Sequence, residues 1–206
     1  LNETMQLSQQ FKVQSPKLWS PEHPNMYTIQ TSILVAGKLM DQYSTPLGIR
    51  SIELKGSKGF FLNGESIKFK GLSNHHDAGA LGAAVPDDEL YYRLKLLKEM
   101  GCNALRTTHN PFSPEFYAMC DSMGFLVMDE AFDGWQKPKA KHDYGNYFEE
   151  WWQRDLSDFI KRDRNHPSVV IWSIGNEVPG CTANDQKTIL DFVKTVLSVS
   201  ESFSEH

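Results

Sequence analysis

Val169-Val170-Ile171-Trp172-Ser173-Ile174-Gly175-Asn176-Glu177 runs from a nearly continuous apolar stretch into a Gly-Asn-Glu step. A short apolar run closed by glycine reads as a strand covered on both faces, which is how strands of parallel sheets are buried. Working outward from it, the spacing predicts a helix over about Tyr147–Arg164, with Phe148, Trp152, Leu156, Phe159 and Ile160 on one face. A second helix follows over Asp185–Val199, through Ile189, Phe192, Val193, Val196 and Leu197. Upstream the same rhythm repeats. Strands are expected at Ile67–Leu72, Ala104–Thr108 and Phe125–Met128, with helices at Asp87–Met100, ended by Gly101, and Ser113–Met123, closed by Gly124. Four consecutive βα units imply a parallel sheet with helices outside it.

Two architectures fit that pattern, a doubly wound sheet or part of a (β/α)8 barrel. No GxGxxG or P-loop follows a strand. Polar residues instead crowd the C-terminal strand ends: Asn74-His75-His76-Asp77, His109-Asn110, Asp129-Glu130 and Asn176-Glu177. In a barrel that rim carries the chemistry, so the barrel is the preferred reading. Residues 1–55 differ. Short alternating runs at Phe11–Val13, Tyr27–Val35 and Ile49–Leu54, separated by turn residues, predict part of an all-β, immunoglobulin-like sandwich. Lys55–Lys58 reads as a linker to residues 56–206, and Phe60–Glu65 as a hairpin around Asn63-Gly64.

Composition narrows the function. The 206 residues are 40% hydrophobic and 23% charged, ordinary for a globular chain. A net charge of −5 gives no reason to expect nucleic acid, and no run of about 18 apolar residues offers a membrane span. The N-terminus shows no signal peptide, which leaves a cytoplasmic location as the expectation. Cys102, Cys120 and Cys181, without metal-ligand spacing, read as reduced core residues. Aromatic residues at 12% fit either sugar stacking or a large core, and the core is the simpler reading.

Glu177 stands out among the polar residues. At the mouth of an apolar strand near Trp172 its carboxyl should be partly desolvated, which would suit a general acid. The alternative is a cap or a partner for an arginine. Asn176 beside it can exchange hydrogen bonds with a sugar hydroxyl. Asp129 and Glu130 read as rim carboxylates paired with Arg106. His75, His76, Asp77 and His109 could converge on a metal, but no HxH or HExxH spacing exists, so imidazoles bonding hydroxyls are preferred. Arg162–Ser168 reads as a clamp on the turn before the last strand.

The runs LWSPEHPNMY (18–27), GIRSIE (48–53), FFLNG (60–64), GLSNHHDAG (71–79), MGCNALRTTHNP (100–111), CDSMGFLVMDEAFD (120–133) and RDRNHPSVVIWSIGNE (162–177) resemble glycoside hydrolase family 2, and within it the β-galactosidases. The resemblance implies the end of an immunoglobulin-like domain and the first half of a catalytic barrel. It also implies a retaining hydrolase of terminal β-galactosides, with Glu177 as acid/base and Asn176 on the sugar 2-hydroxyl. His75, Asp77 and His109 would line the sugar subsite, supported by Arg106, Asp129 and Glu130. A β-glucuronidase or a non-catalytic sugar-binding half barrel is the alternative.

No cofactor and no metal are expected, since the positions where some members bind magnesium read Gly134 and Gln136. The second carboxylate of the retaining scheme should lie on a later strand, beyond this chain, and Asp129, Glu130 and Asp133 are the local substitutes. The resemblance carries the further expectation that the family's upstream jelly-roll domain is not part of this chain and that the tail 197–206 departs from the family's continuation. The expected partners are therefore a β-linked saccharide and a second copy of the chain, joined through open barrel edges.

Overall fold

The structure is a computed structural model that describes residues 7–178 and 183–201. Strands β1 (Tyr27–Val35) and β2 (Lys38–Leu47) form an antiparallel hairpin across Ala36-Gly37, both at positive φ as a tight hairpin turn requires. Strands β3 (Ile52–Leu54), β4 (Phe60–Leu62) and β5 (Glu65–Ser66) form a small antiparallel sheet, and Asn63-Gly64 turns β4 into β5 as expected. Two local expectations differ. Residues 11–13 form no strand, and Lys55–Lys58 is no free linker, because it connects β3 to β4 within one ladder.

The remainder is a four-stranded parallel sheet in sequence order, β6 (Gly71–His75), β7 (Ala104–Thr108), β8 (Leu126–Glu130) and β9 (Val169–Ser173). Helices α1 (Asp87–Glu99), α2 (Pro114–Met123), α3 (Phe148–Asp163) and α4 (Ala183–Glu201) alternate with them. This is the α/β architecture expected, four βα units of a (β/α)8-type barrel. Helix α1 carries Asp87, Asp88 and Glu89 in its first turn, where the helix dipole favours negative charge. Helix α2 begins with Pro114 and stops at Gly124 in the left-handed conformation. Among the described residues no helix is long and apolar enough to cross a membrane.

Strand β6 begins four residues later than the expected Ile67. The reason is a close approach: a Cβ on Gly71 would meet the backbone carbonyl of its partner Ala104, so the ladder starts where a glycine permits it. Three buried clusters hold the assembly. Leu90, Leu94 and Leu97 of α1 and Phe116, Tyr117 and Cys120 of α2 pack on Leu105, Val127 and Val169 from the outer face of the sheet. An aromatic cluster of Phe132, Trp135, Phe148, Trp152 and Phe192 joins α3 to α4. Trp19, Phe60 and Leu62 close the sheet from below, against Ala104 and Leu126.

The Arg162–Ser168 segment does act as a clamp. His166 Nδ1 lies 2.6 Å from Asp121 Oδ2, Ser168 N donates to Asp121 Oδ1 at 3.1 Å, and the Asp121 carbonyl accepts Trp19 Nε1 at 2.8 Å. Cys120 is buried and Cys102 half-buried, both as free thiols, while Cys181 and the tail beyond 201 lie outside the described residues.

Candidate active site

Strand alternation sorts the polar residues at the rim. Glu130 points to the concave inner face, where Arg106 donates from Nε at 2.9 Å and Nη2 at 2.7 Å. His109 Nδ1 lies 2.7 Å from its other oxygen, and Ser173 Oγ donates at 2.6 Å. Glu130 is fully buried with both oxygens engaged. With Nδ1–H committed to Glu130, a neutral His109 presents Nε2 as an acceptor. The His75 ring stands perpendicular to it, centroids 5.6 Å apart.

Beyond Glu130 the ladder continues as a single parallel bridge between Asp133 and Asn176, with Gly134 N donating to Asn176 O and Asn176 N to Phe132 O. Gly175 is required here. A Cβ would stand 2.6 Å from Trp135 Nε1 and 2.9 Å from the Phe132 carbonyl. The Asn176 side chain spans two charges: its Oδ1 accepts from Arg106 Nη2 at 3.2 Å and its Nδ2 donates to Asp133 Oδ1 at 2.9 Å. Glu177 follows at φ +47°, a left-handed conformation rare for a residue with a Cβ and one that concentrates at functional sites. Its carboxylate receives Lys139 Nζ at 2.7 Å, and the same ammonium reaches Asp133 Oδ1 at 2.7 Å. Burial pushes the Asp133 carboxyl up, but hydrogen bonds from Lys139 and Asn176 and the ammonium charge hold it below the usual carboxylate range.

The structure therefore joins Arg106, His109, Glu130, Asn176 and Glu177 in one network, with His75 at its edge. Three expectations change. Glu177 is not desolvated: its side chain is 72% exposed and ion-paired with Lys139, while Trp172 packs on Phe159. Asp129 is not a rim residue. It lies on the outer face, fully buried, with Tyr117 Oη donating at 2.7 Å and Thr107 Oγ1 at 3.2 Å. The side chain of Asp77 stands apart from the network. Its backbone carbonyl accepts from Arg93 Nη2, while Arg93 Nη1 donates to the His75 carbonyl at 3.0 Å, and the guanidinium so pins the loop after β6.

Sequence reasoning missed Ser173 and Lys139. Ser173 reads as one more residue of the strand. Lys139 sits in Gln136-Lys137-Pro138-Lys139-Ala140-Lys141, where no spacing distinguishes one lysine from its neighbours. Three of the five tryptophans answer the aromatic question. Trp19 and Trp135 are fully buried and Trp152 nearly so, in the core rather than on a sugar platform.

The model of the glycosyl hydrolases family 2 TIM barrel domain matches residues 52–198, and a second model of the same family matches residues 1–50. The chain belongs to glycoside hydrolase family 2. A β-galactosidase of Bacteroides ovatus is 54% identical over 171 residues, covering 83% of this chain and 20% of that protein. A putative β-glucuronidase of Formosa agariphila is 50% identical over 173 residues, covering 84% and 17%. A β-glycosidase of Bacteroides vulgatus superposes with a TM-score of 0.85 at 55% identity, over 91% of this chain and 24% of that one. The family 2 chain thus spans about a fifth of the length of the curated relatives it matches.

Proposed function

We propose that this chain carries the acid/base half of a retaining hydrolase of terminal β-galactosides. The observation that carries the reading is the Arg106–Asn176–Asp133 network. It fixes the backbone step that presents Glu177, in left-handed conformation and with an exposed carboxylate, at the rim. Glu177 protonates the leaving oxygen as the glycosidic bond breaks and then takes a proton from the incoming water. A second carboxylate, about 5–5.5 Å away in retaining enzymes, attacks the anomeric carbon. Asn176, His109 and His75 offer hydrogen bonds to sugar hydroxyls, whereas the Asp77 side chain stands apart from them. Arg106 and Glu130 support them.

The nucleophile is none of Asp129, Glu130 and Asp133. Glu130 is saturated, Asp129 faces away, and Asp133 is occupied by Asn176 and Lys139. It comes from further βα units, supplied by a longer polypeptide or by a second chain. No cofactor enters this scheme. A β-glucuronidase reading has one observation behind it besides the relatives, the Lys139 cation at the rim. That ammonium already answers two carboxylates, which leaves it poorly placed to receive a third, so the galactoside reading is preferred.

The test replaces the matching segment of the Bacteroides ovatus β-galactosidase with this chain, giving the half barrel a complement. The chimera should hydrolyse an aryl β-galactoside at least tenfold faster than the matching β-glucuronide. Faster turnover of the glucuronide would overturn the galactoside assignment.

A further inference from the structure

The loop after β8 brings to the site one charged side chain that the scheme above does not use. Lys139 Nζ lies 2.7 Å from both Asp133 Oδ1 and Glu177 Oε2. The loop around it is ordered by its own bonds: Lys139 N donates to Asp143 Oδ2 at 3.1 Å, and Gly145 N donates to Asp143 Oδ1 at 2.7 Å. Asp133 is itself fixed by Asn176 Nδ2 and by the bridge that continues the sheet. The ammonium therefore has a fixed anchor in Asp133 and a second partner in Glu177. Among the described residues no other donor reaches the Glu177 carboxylate.

We infer that Lys139 is a positioning residue for Glu177: anchored on Asp133, its ammonium holds the ionised Glu177 carboxylate in one orientation and occupies the place a divalent cation would need. The inference rests on the reading of Glu177 as acid/base. When Glu177 carries its proton, Lys139 loses one partner and keeps Asp133, so its charge is not orphaned. When that proton passes to the leaving oxygen and the glycosidic C–O bond breaks, the carboxylate formed on Glu177 faces the ammonium. The attraction grows as the proton leaves, which is the condition for an interaction to favour the transition state. Solvent screens this pair while the rim is open, and an aglycone lying over it removes that screening.

The residues present do not suit a divalent cation. Gly134 offers no side chain, and among the described residues no group of three or more His, Cys, Asp or Glu converges on a point. His109 is the other titratable group whose charge bears on Asp133, and it is committed to Glu130.

NMR of the full chain tests this, using side-chain couplings of Glu177 and the ammonium signals of lysine. In the wild type Glu177 should occupy a single rotamer. Lys139→Met should average it while leaving the amide spectrum elsewhere unchanged, and Lys139→Arg should restore it. The Lys139 ammonium, held above the ordinary lysine range by its bonds to Asp133 and Glu177, should titrate at lower pH in Glu177→Gln. Millimolar Mn2+ should leave the Glu177 and Asp133 signals sharp. Glu177 averaging in the wild type, indifference to Lys139→Met, or selective broadening by Mn2+ would each overturn the inference. Failure of the acid/base reading itself would show in turnover, not in these couplings.

Discussion

Along β8 successive side chains alternate faces, so Asp129 and Glu130 meet opposite surroundings. Glu130 faces Arg106, His109 and Ser173, all able to donate. Asp129 Oδ1 takes Tyr117 and Thr107, but its Oδ2 finds no donor, because the group beside it is the Asp163 carboxyl. Two buried carboxyls in contact favour keeping one proton between them. Burial first, and repulsion from Asp163 second, push Asp129 well above the ordinary aspartate range. The folded chain thus keeps this proton to higher pH than the unfolded chain does. Its stabilising share is complete below the unfolded value and is lost as pH rises through the folded one. Asp129→Asn, which keeps the acceptor for Tyr117 and places a donor toward Asp163, should stabilise the chain at neutral pH by roughly 1–3 kcal/mol. The gain should shrink in acid. Urea midpoints at neutral and acidic pH check this, and a midpoint that falls at neutral pH would contradict it. The site was legible at this scale where chemistry follows from residue type and strand end: Glu177, Asn176, Arg106, His109 and Glu130 could all be named. Lys139 could not, because a loop of 17 residues between β8 and α3 delivers it and no periodicity sets where its side chain lands.

At the scale of elements, the helices follow from their apolar spacing. All five expected core positions of α3 are buried, and so are Leu90, Leu94 and Leu97 of α1. Strand limits follow less closely. Strand β6 is set by Gly71 approaching Ala104, a tertiary event that a period-2 pattern does not record. The apolar run of β9 predicts cover on both faces, yet only Val169 is fully buried and Val170–Ser173 are half-buried. Their inner face borders a concave space of about 270 Å3 lined by Phe69, Leu72, Ala104, Met128 and Ile171. Among the described residues β6 and β9 are also edges without a second neighbour. Open edges beside an apolar concave face favour pairing with another sheet. The chain alone should therefore sediment above its 23.5 kDa monomer mass at micromolar concentration. Lysines at alternate positions of β9 should shift it toward monomer, and a monomer throughout the range would contradict this.

At the scale of the whole molecule, the outer face of the sheet is a packed core, whereas the inner face carries the polar network in which the proposed acid/base sits. Arg106, Glu130 and Asn176 hold the backbone that presents Glu177, and Lys139 holds its carboxylate, but none of Asp129, Glu130 and Asp133 is free to attack an anomeric carbon. Membership of glycoside hydrolase family 2 and the length of the relatives agree with a half site completed by further βα units. The central claim is that Glu177 is the acid/base, and leaving-group dependence tests it most directly. In the chimera described above, Glu177→Gln should slow hydrolysis of a phenyl β-galactoside, whose leaving group needs a proton, by about 10²–10⁴-fold. It should slow formation of the glycosyl-enzyme from a dinitrophenyl β-galactoside, whose leaving group needs none, far less. Equal losses on the two substrates, or no loss on either, would contradict the account.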